Sequence, residues 1–317
     1  MSEFDLIRTH FARLGHQRPD VLLGVGDDCA LLRVPAGQDL AVSIDTLVAG
    51  VHFLPDCDPE ALGHKALAVG LSDLAAMGAE PAWATLALTL PPELPQAQPD
   101  WLAGFCRGLD ALARRYRVAV VGGDTTRGPL SVSIQVHGLV PPGQAVRRSG
   151  AAPGDLVCVS GTLGDAGLAL RQVLAGDLVA ERLRLRLDRP EPRVALGLAL
   201  RGVASAMIDC SDGLAADLGH ILEASGVGAE IHLAGLPQSE AVAAVGDWSL
   251  PLAAGDDYEL CFTLPPARRA VLSRLATAGD VALAVIGWIE QEPGLRCRLP
   301  NGTDLPLART GYDHFAG

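Results

Sequence analysis

Two short clusters of proline and glycine, Pro141-Pro142-Gly143 and Ala152-Pro153-Gly154, bracket a stretch without periodicity, and strand-like and helix-like segments alternate on either side of it. This punctuation most constrains the fold, because neither half can thread one continuous core through such a hinge. Before it, residues 39–44 read as a strand ending in Asp45-Thr46. Residues 59–77 read as a helix with Leu67, Leu71 and Leu74 at helical spacing. Period-two alternation marks strands at 82–90 and 130–140; a helix from about 99 to 117 leads into a strand at 118–121 that stops at Gly122-Gly123-Asp124. After the hinge the same grammar predicts strands at 156–160, 204–208, 229–233 and 282–289, with helices at 164–175, 213–225 and 265–278. The expected fold class is mixed α/β, with domains at 1–140 and 150–317.

Aspartates recur where these predicted strands end, beside Gly, Ser or Thr. They are Asp27 and Asp28 in Gly26-Asp27-Asp28, Asp45, Asp124, Asp209 and Asp212 in Asp209-Cys210-Ser211-Asp212-Gly213, and Asp256 in Gly255-Asp256-Asp257. Asp73 stands on an otherwise apolar helix. A lone Asp beside Gly is most often turn or cap chemistry. Doubled carboxylates repel each other and do little for a turn, and an acid among buried leucines calls for a partner. Together they point to hard divalent cations with oxygen ligands. An EF-hand is excluded, since the twelfth position counted from Asp209 is His220 rather than Glu. Magnesium with phosphates fits better, because Mg²⁺ takes only one or two carboxylates per ion. Arg127 and the hinge pair Arg147-Arg148 are candidate phosphate partners.

Composition removes several alternatives. Among 25 basic residues there is one lysine, Lys65, in Gly63-His64-Lys65-Ala66, so neither a P-loop nor a protein-kinase lysine is present. Acids outnumber bases 37 to 25, which argues against nucleic acid as a partner. The acidic start Met1-Ser2-Glu3-Phe4-Asp5 and the absence of an ~18-residue apolar run lead us to expect a soluble cytoplasmic protein without a membrane partner. Seven cysteines without a C-x-x-C pair read mostly as small core residues. The loop Ser160-Gly161-Thr162-Leu163-Gly164-Asp165-Ala166-Gly167 lacks dinucleotide spacing and reads as a structural turn. The run Arg182, Arg184, Arg186, Arg189 and Arg193 reads as a solvated face.

Six ordered segments resemble the thiamine-monophosphate kinases: Gly24-Val25-Gly26-Asp27-Asp28-Cys29-Ala30, the stretch from Asp45-Thr46 to His52-Phe53, Leu71-Ser72-Asp73-Leu74, Gly122-Gly123-Asp124-Thr125-Thr126, Ile208-Asp209-Cys210-Ser211-Asp212-Gly213-Leu214 and Gly311-Tyr312-Asp313-His314-Phe315. The resemblance implies the two-domain aminoimidazole ribonucleotide synthetase-like fold, with transfer of the ATP γ-phosphoryl group to thiamine monophosphate, several Mg²⁺ ions, no catalytic base and a homodimer formed through N-terminal-domain strands. It implies Asp28, Ser43, Asp45, Asp73, Asp124, Asp209 and Asp212 as metal ligands, with Asp27 a further candidate. Gly123, Asp124, Arg148 and Ser211 would meet ATP; His52, Asp256 and Tyr312 would face thiamine. Asp256 stands where the family usually has Glu, and Cys106 lies where an aromatic is often found. Alternatives are a synthetase of the same fold, acting on an aminoimidazole ribonucleotide precursor or selenide, and a non-enzymatic divalent-ion binder. The selenide reading would need a reactive Cys and a Lys near the N-terminus, yet no Cys precedes Cys29 and no Lys precedes Lys65.

Overall fold

The computed structural model describes residues 7–306, 311 and 312, and the chain divides into two compact units. Asp313, His314, Phe315 and residues 1–6 lie outside the described residues.

The first unit comprises residues 1–74 and 79–143. Its strands are β1 (Val21–Leu23), β2 (Leu31–Leu32), β3 (Asp39–Val48), β4 (Glu80–Leu90), β5 (Ala119–Arg127) and β6 (Ser131–Val140); its main helices are α1 (Pro59–Ala76) and α2 (Trp101–Arg115). Four strands form a sheet in the order β3-β6-β4-β5, antiparallel except for the β4–β5 pair, while β1 and β2 pair separately. Two strands run further than the sequence reading expects. Strand β3 continues through Asp45 to Val48 because β6 supplies a partner at every step as far as Ser131. Strand β5 passes straight through Gly122-Gly123-Asp124 to Arg127, paired with β4. Glycine is required there by proximity: a Cβ on Gly123 would sit 1.9 Å from the Leu86 carbonyl oxygen. Asp45 and Asp124 are therefore strand residues, not loop residues.

Helices α1 and α2 touch backbone to backbone. A Cβ on Gly63 would lie 1.9 Å from the Phe105 carbonyl oxygen, and one on Gly108 would lie 1.8 Å from that of Glu60. Leu67, Leu71 and Leu74 of α1 are fully or almost fully buried, as are Phe105, Leu109 and Leu112 of α2. The leucine periodicity seen in the sequence is the inward face of α1.

The second unit comprises residues 75–78 and 144–317. Its six-stranded sheet runs β12-β9-β11-β7-β10-β8, from β7 (Leu156–Ser160), β8 (Ala206–Asp209), β9 (Gly228–His232), β10 (Leu260–Leu264), β11 (Leu283–Glu290) and β12 (Gly294–Arg298). All pairs are antiparallel except β9–β12. Its helices include α3 (Asp165–Ala175), α4 (Glu181–Asp188), α5 (Val194–Leu200) and α6 (Leu214–Ser225). Val157, Val159, Ile208, Cys261, Ile286 and Ile289 of the sheet pack with Leu214, Leu218 and Ile221 of α6 in one buried cluster. The expected helix at 265–278 is a 3₁₀ stretch, Pro266–Val271, followed by a helix at Leu272–Gly279. Pro265 caps the 3₁₀ stretch and Pro266 opens it, a position whose N–H has no partner inside a helix. No helix among the described residues is long and apolar enough to cross a membrane.

Candidate active site: paired carboxylates in each unit

In the first unit the site grows from Gly70. A Cβ there would lie 3.0 Å from Val136 and 3.5 Å from Asp45 Oδ2, so glycine lets α1 settle onto the sheet beside Asp45. Asp73, three residues on, falls on the same helical face and meets β3, where the Ser43 hydroxyl donates to Asp73 Oδ2. Asp45 Oδ2 is buried and has no hydrogen-bond partner. Burial first, and then the neighbouring charge of Asp73, pushes the Asp45 carboxyl up to about 7. Two carboxylates and a hydroxyl brought together with an orphaned oxygen form a hard-donor set that a divalent cation would satisfy.

The other first-unit candidates do not join this pair. Asp27 and Asp28 are exposed, and Asp27 Oδ1 accepts the Asp28 N–H at 2.8 Å, which is turn chemistry. The strand register sets Asp124 level with Ala87, Ser133 and Thr46, one row from Asp45. His52 closes the turn after β3: its Nδ1 accepts the Val48 N–H at 3.0 Å, so a neutral ring carries its proton on Nε2. Among the described residues no three His, Cys, Asp or Glu side chains converge on one metal position. An ion held by pairs of carboxylates takes its remaining oxygens from phosphate and water, as Mg²⁺ does.

In the second unit the backbone ties the candidates together. Beyond β8, Cys210 N–H donates to the Glu259 carbonyl at 2.7 Å, Tyr258 N–H to that of Cys210 at 2.8 Å, and Asp256 N–H to that of Ser211 at 2.8 Å. Tyr312 N–H donates to the Asp212 carbonyl at 3.0 Å. Asp209, Ser211, Asp212, Asp256 and Tyr312 thus belong to one hydrogen-bonded assembly of three chain segments. Arg148 is exposed, and its carbonyl accepts the Ser225 hydroxyl at 3.3 Å.

Sequence reasoning missed the groups that hold this assembly. Asp217 is buried at the start of α6, where its Oδ2 accepts the N–H groups of Asp212 at 3.2 Å and Gly213 at 3.0 Å. Burial and then the charges of Asp209 and Asp212 push its carboxyl up to about 8, against the pull of those two amides. The glycine loop is a structural turn whose donors are used internally: both carboxylate oxygens of Asp257, 1% exposed, accept the Gly164 N–H at 3.0 Å. That carboxylate stands where a phosphate would meet the N-terminus of α3.

Two members of the arginine run are not solvated. Arg193 Nε donates to Glu259 Oε2 at 2.7 Å, Arg186 Nη2 to Glu259 Oε1 at 2.9 Å, and the Ser160 hydroxyl to Oε2 at 2.6 Å. Burial of the Glu259 carboxyl favours its neutral form, yet Arg193 and Arg186 together hold it below the usual glutamate value. The spacing of residues 186, 193 and 259 carried no signal of this, because the pairing is long-range. All seven cysteines are free; Cys29 is exposed and Cys57 half-buried, and the other five are core residues.

Comparison with known proteins follows the division into units. Residues 26–140 match the family described as AIR synthase related protein, N-terminal domain, and residues 152–300 match AIR synthase related protein, C-terminal domain. A thiamine-monophosphate kinase of Escherichia coli strain K12 is 50% identical over 99% of this chain and 98% of its own. The crystal structure of thiamine-monophosphate kinase from Stenotrophomonas maltophilia K279a superposes with a TM-score of 0.84 at 48% identity, covering 91% of this chain and 93% of that one. A structure of AaThiL complexed with AMPPCP and TMP superposes with a TM-score of 0.78 at 31% identity, covering 89% of both chains.

Proposed function

The chain belongs to the AIR synthase related family and, within it, to the thiamine-monophosphate kinases, and on that premise we propose how its carboxylates divide the work of the reaction. ATP and thiamine monophosphate give ADP and thiamine diphosphate. The bond between the γ-phosphorus and the β,γ-bridging oxygen breaks, and a phosphate oxygen of thiamine monophosphate forms the new one. That oxygen is already anionic, so no side chain has to remove a proton from it. The barrier lies in bringing two phosphate anions together in line.

The observation that carries the reading is the Asp45–Asp73 pair with its orphaned buried oxygen. Asp45, Asp73 and Ser43 would hold one Mg²⁺ in the first unit, with Asp28 and Asp124 serving further ions and Asp27 held in its turn; Asp209 and Asp212 would hold Mg²⁺ in the second. Bound Mg²⁺ supplies neutralisation of phosphate charge. The protein's own groups do the positioning. Gly123, which keeps its strand free of a side chain, Asp124, Ser211 and the exposed Arg148 guanidinium face the nucleotide, the last as a fork for phosphate oxygens. His52 offers Nε2–H, and Asp256 and Tyr312 offer an acceptor and an aromatic edge, to the thiamine end. The reading keeps the chain in the cytoplasm, where its co-substrate ATP is supplied.

With Mg²⁺ present, the purified chain should form ADP and thiamine diphosphate one for one, followed by chromatography of both products; a folded sample making ADP without thiamine diphosphate overturns the reading. The homodimer of the proposal has a surface to use. Strand β3 is a sheet edge, and Leu40, Val42 and Ile44 expose 45, 49 and 63% of their surface along it. Light scattering should give twice the chain mass, and Ile44→Glu should halve it. A wild-type chain that stays monomeric at tens of micromolar would remove the dimer.

A further inference from the structure

We propose that Tyr258 is a positioning residue that fixes the Asp256 carboxylate, and through it the thiamine end of the substrate. The inference rests on Asp256 serving as a thiamine contact, as proposed above.

The backbone there is unusual. Gly255, Asp256 and Tyr258 have φ of +74°, +63° and +51°, all in the left-handed region. Glycine reaches it freely and Asp tolerates it, but a bulky aromatic rarely does. Such a residue persists only where its surroundings over-determine it. Here they do. The Tyr258 N–H is held by the Cys210 carbonyl, the Asp256 N–H by the Ser211 carbonyl, each at 2.8 Å, and a Cβ at Gly255 would sit 2.6 Å from that same Ser211 oxygen. Tyr258 is 8% exposed, and its hydroxyl donates to Asp256 Oδ1 at 2.9 Å.

The direction of causation follows from what is locked. The phenol is held by a buried ring and a strained, hydrogen-bonded backbone; Asp256 is more exposed and has a short side chain. The buried Tyr258 hydroxyl therefore helps set where the Asp256 carboxylate points. A carboxylate fixed in this way suits a cation or an aromatic amine, and thiamine carries both, a thiazolium ring and an aminopyrimidine. The phosphates of ATP would be repelled by it. Loss of the hydroxyl should therefore act selectively on the thiamine side.

The test is Tyr258→Phe, which keeps the ring and deletes the hydroxyl. Losing one hydrogen bond to a charged group predicts about a tenfold rise in KM for thiamine monophosphate, with kcat and the KM for ATP within about twofold of wild type. In an Asp256→Ala background the same change should do nothing further, because the proposed route is through that carboxylate. Calorimetric titration with thiamine monophosphate in the absence of ATP should show the same weakening. Equal rises in both KM values, an additive effect in the Asp256→Ala background, or a lower melting temperature without selective loss of thiamine monophosphate would each overturn the assignment. A wild-type chain that makes no thiamine diphosphate would instead overturn the kinase reading. An active wild type with an indifferent Tyr258→Phe variant overturns only the role of Tyr258.

Discussion

Replacing Asp45 by Asn should lower the rate of thiamine diphosphate formation by more than about 100-fold and yet stabilise the metal-free protein. Both effects have one origin. The Asp45 carboxyl stands at about 7 in the folded chain against an ordinary value of 3.8, because it is buried and Asp73 is charged beside it. Between those pH values the folded state holds a proton that the unfolded state releases, so stability falls as pH rises through this window. Above it the full destabilisation is present, roughly 4 kcal/mol. Below about pH 4 both states are protonated and the contribution vanishes. Asn removes the buried charge and with it the repulsion from Asp73, so without divalent ions the variant should melt higher at pH 8 than wild type, by a margin that closes towards pH 4. Thermal scans across that range, beside turnover measurements, check both halves. Near-normal turnover would remove Asp45 from the site, and an unchanged melting temperature would remove the destabilising buried charge.

The largest loss of stability is expected from Glu259→Ala. This carboxylate is fully buried and accepts from Arg193, Arg186 and Ser160, so its removal takes from two largely buried guanidinium groups the carboxylate they share. Breaking a buried pair from one side costs about 3–5 kcal/mol. Urea unfolding should show the midpoint falling accordingly. The pH dependence runs opposite to that of Asp45. The folded value lies below the ordinary 4.5, so the stabilisation is complete above that value and is lost as pH falls through the lower one. Glu259→Gln should therefore flatten the acid limb of the unfolding curve. A variant as stable as wild type at neutral pH would show that the arginines find other partners.

What the sequence disclosed was what local chemistry encodes. The leucines of α1 and the alternation of β4 and β6 are patterns within a few residues, and each reappears in the folded chain. Asp45 and Asp124 were legible as special but not as strand residues, because the continuation of β3 and β5 depends on partners far along the chain. The arginine run failed for the same reason. Arg186 and Arg193 read as surface residues until Glu259 is brought to them by the packing of β10 beside β7 and β8. Asp217 and Asp257 act on backbone N–H groups, whose positions no pattern of side chains reveals. The left-handed turn at Tyr258 was equally silent, since its sequence has no Gly at that position to mark it.

The bare contact between α1 and α2 bears on how natural variation in this chain should be interpreted. Gly63 and Asp73 are ten residues apart on one helix, about 15 Å along its axis. A side chain at Gly63 or Gly108 would push α1 away from its neighbour and carry Asp73 with it, as a lever does. In a genetic screen for thiamine auxotrophy, changes at these two glycines would therefore score with changes at the carboxylates themselves. A map of phenotype onto sequence would then draw a functional site considerably larger than the atoms that touch phosphate.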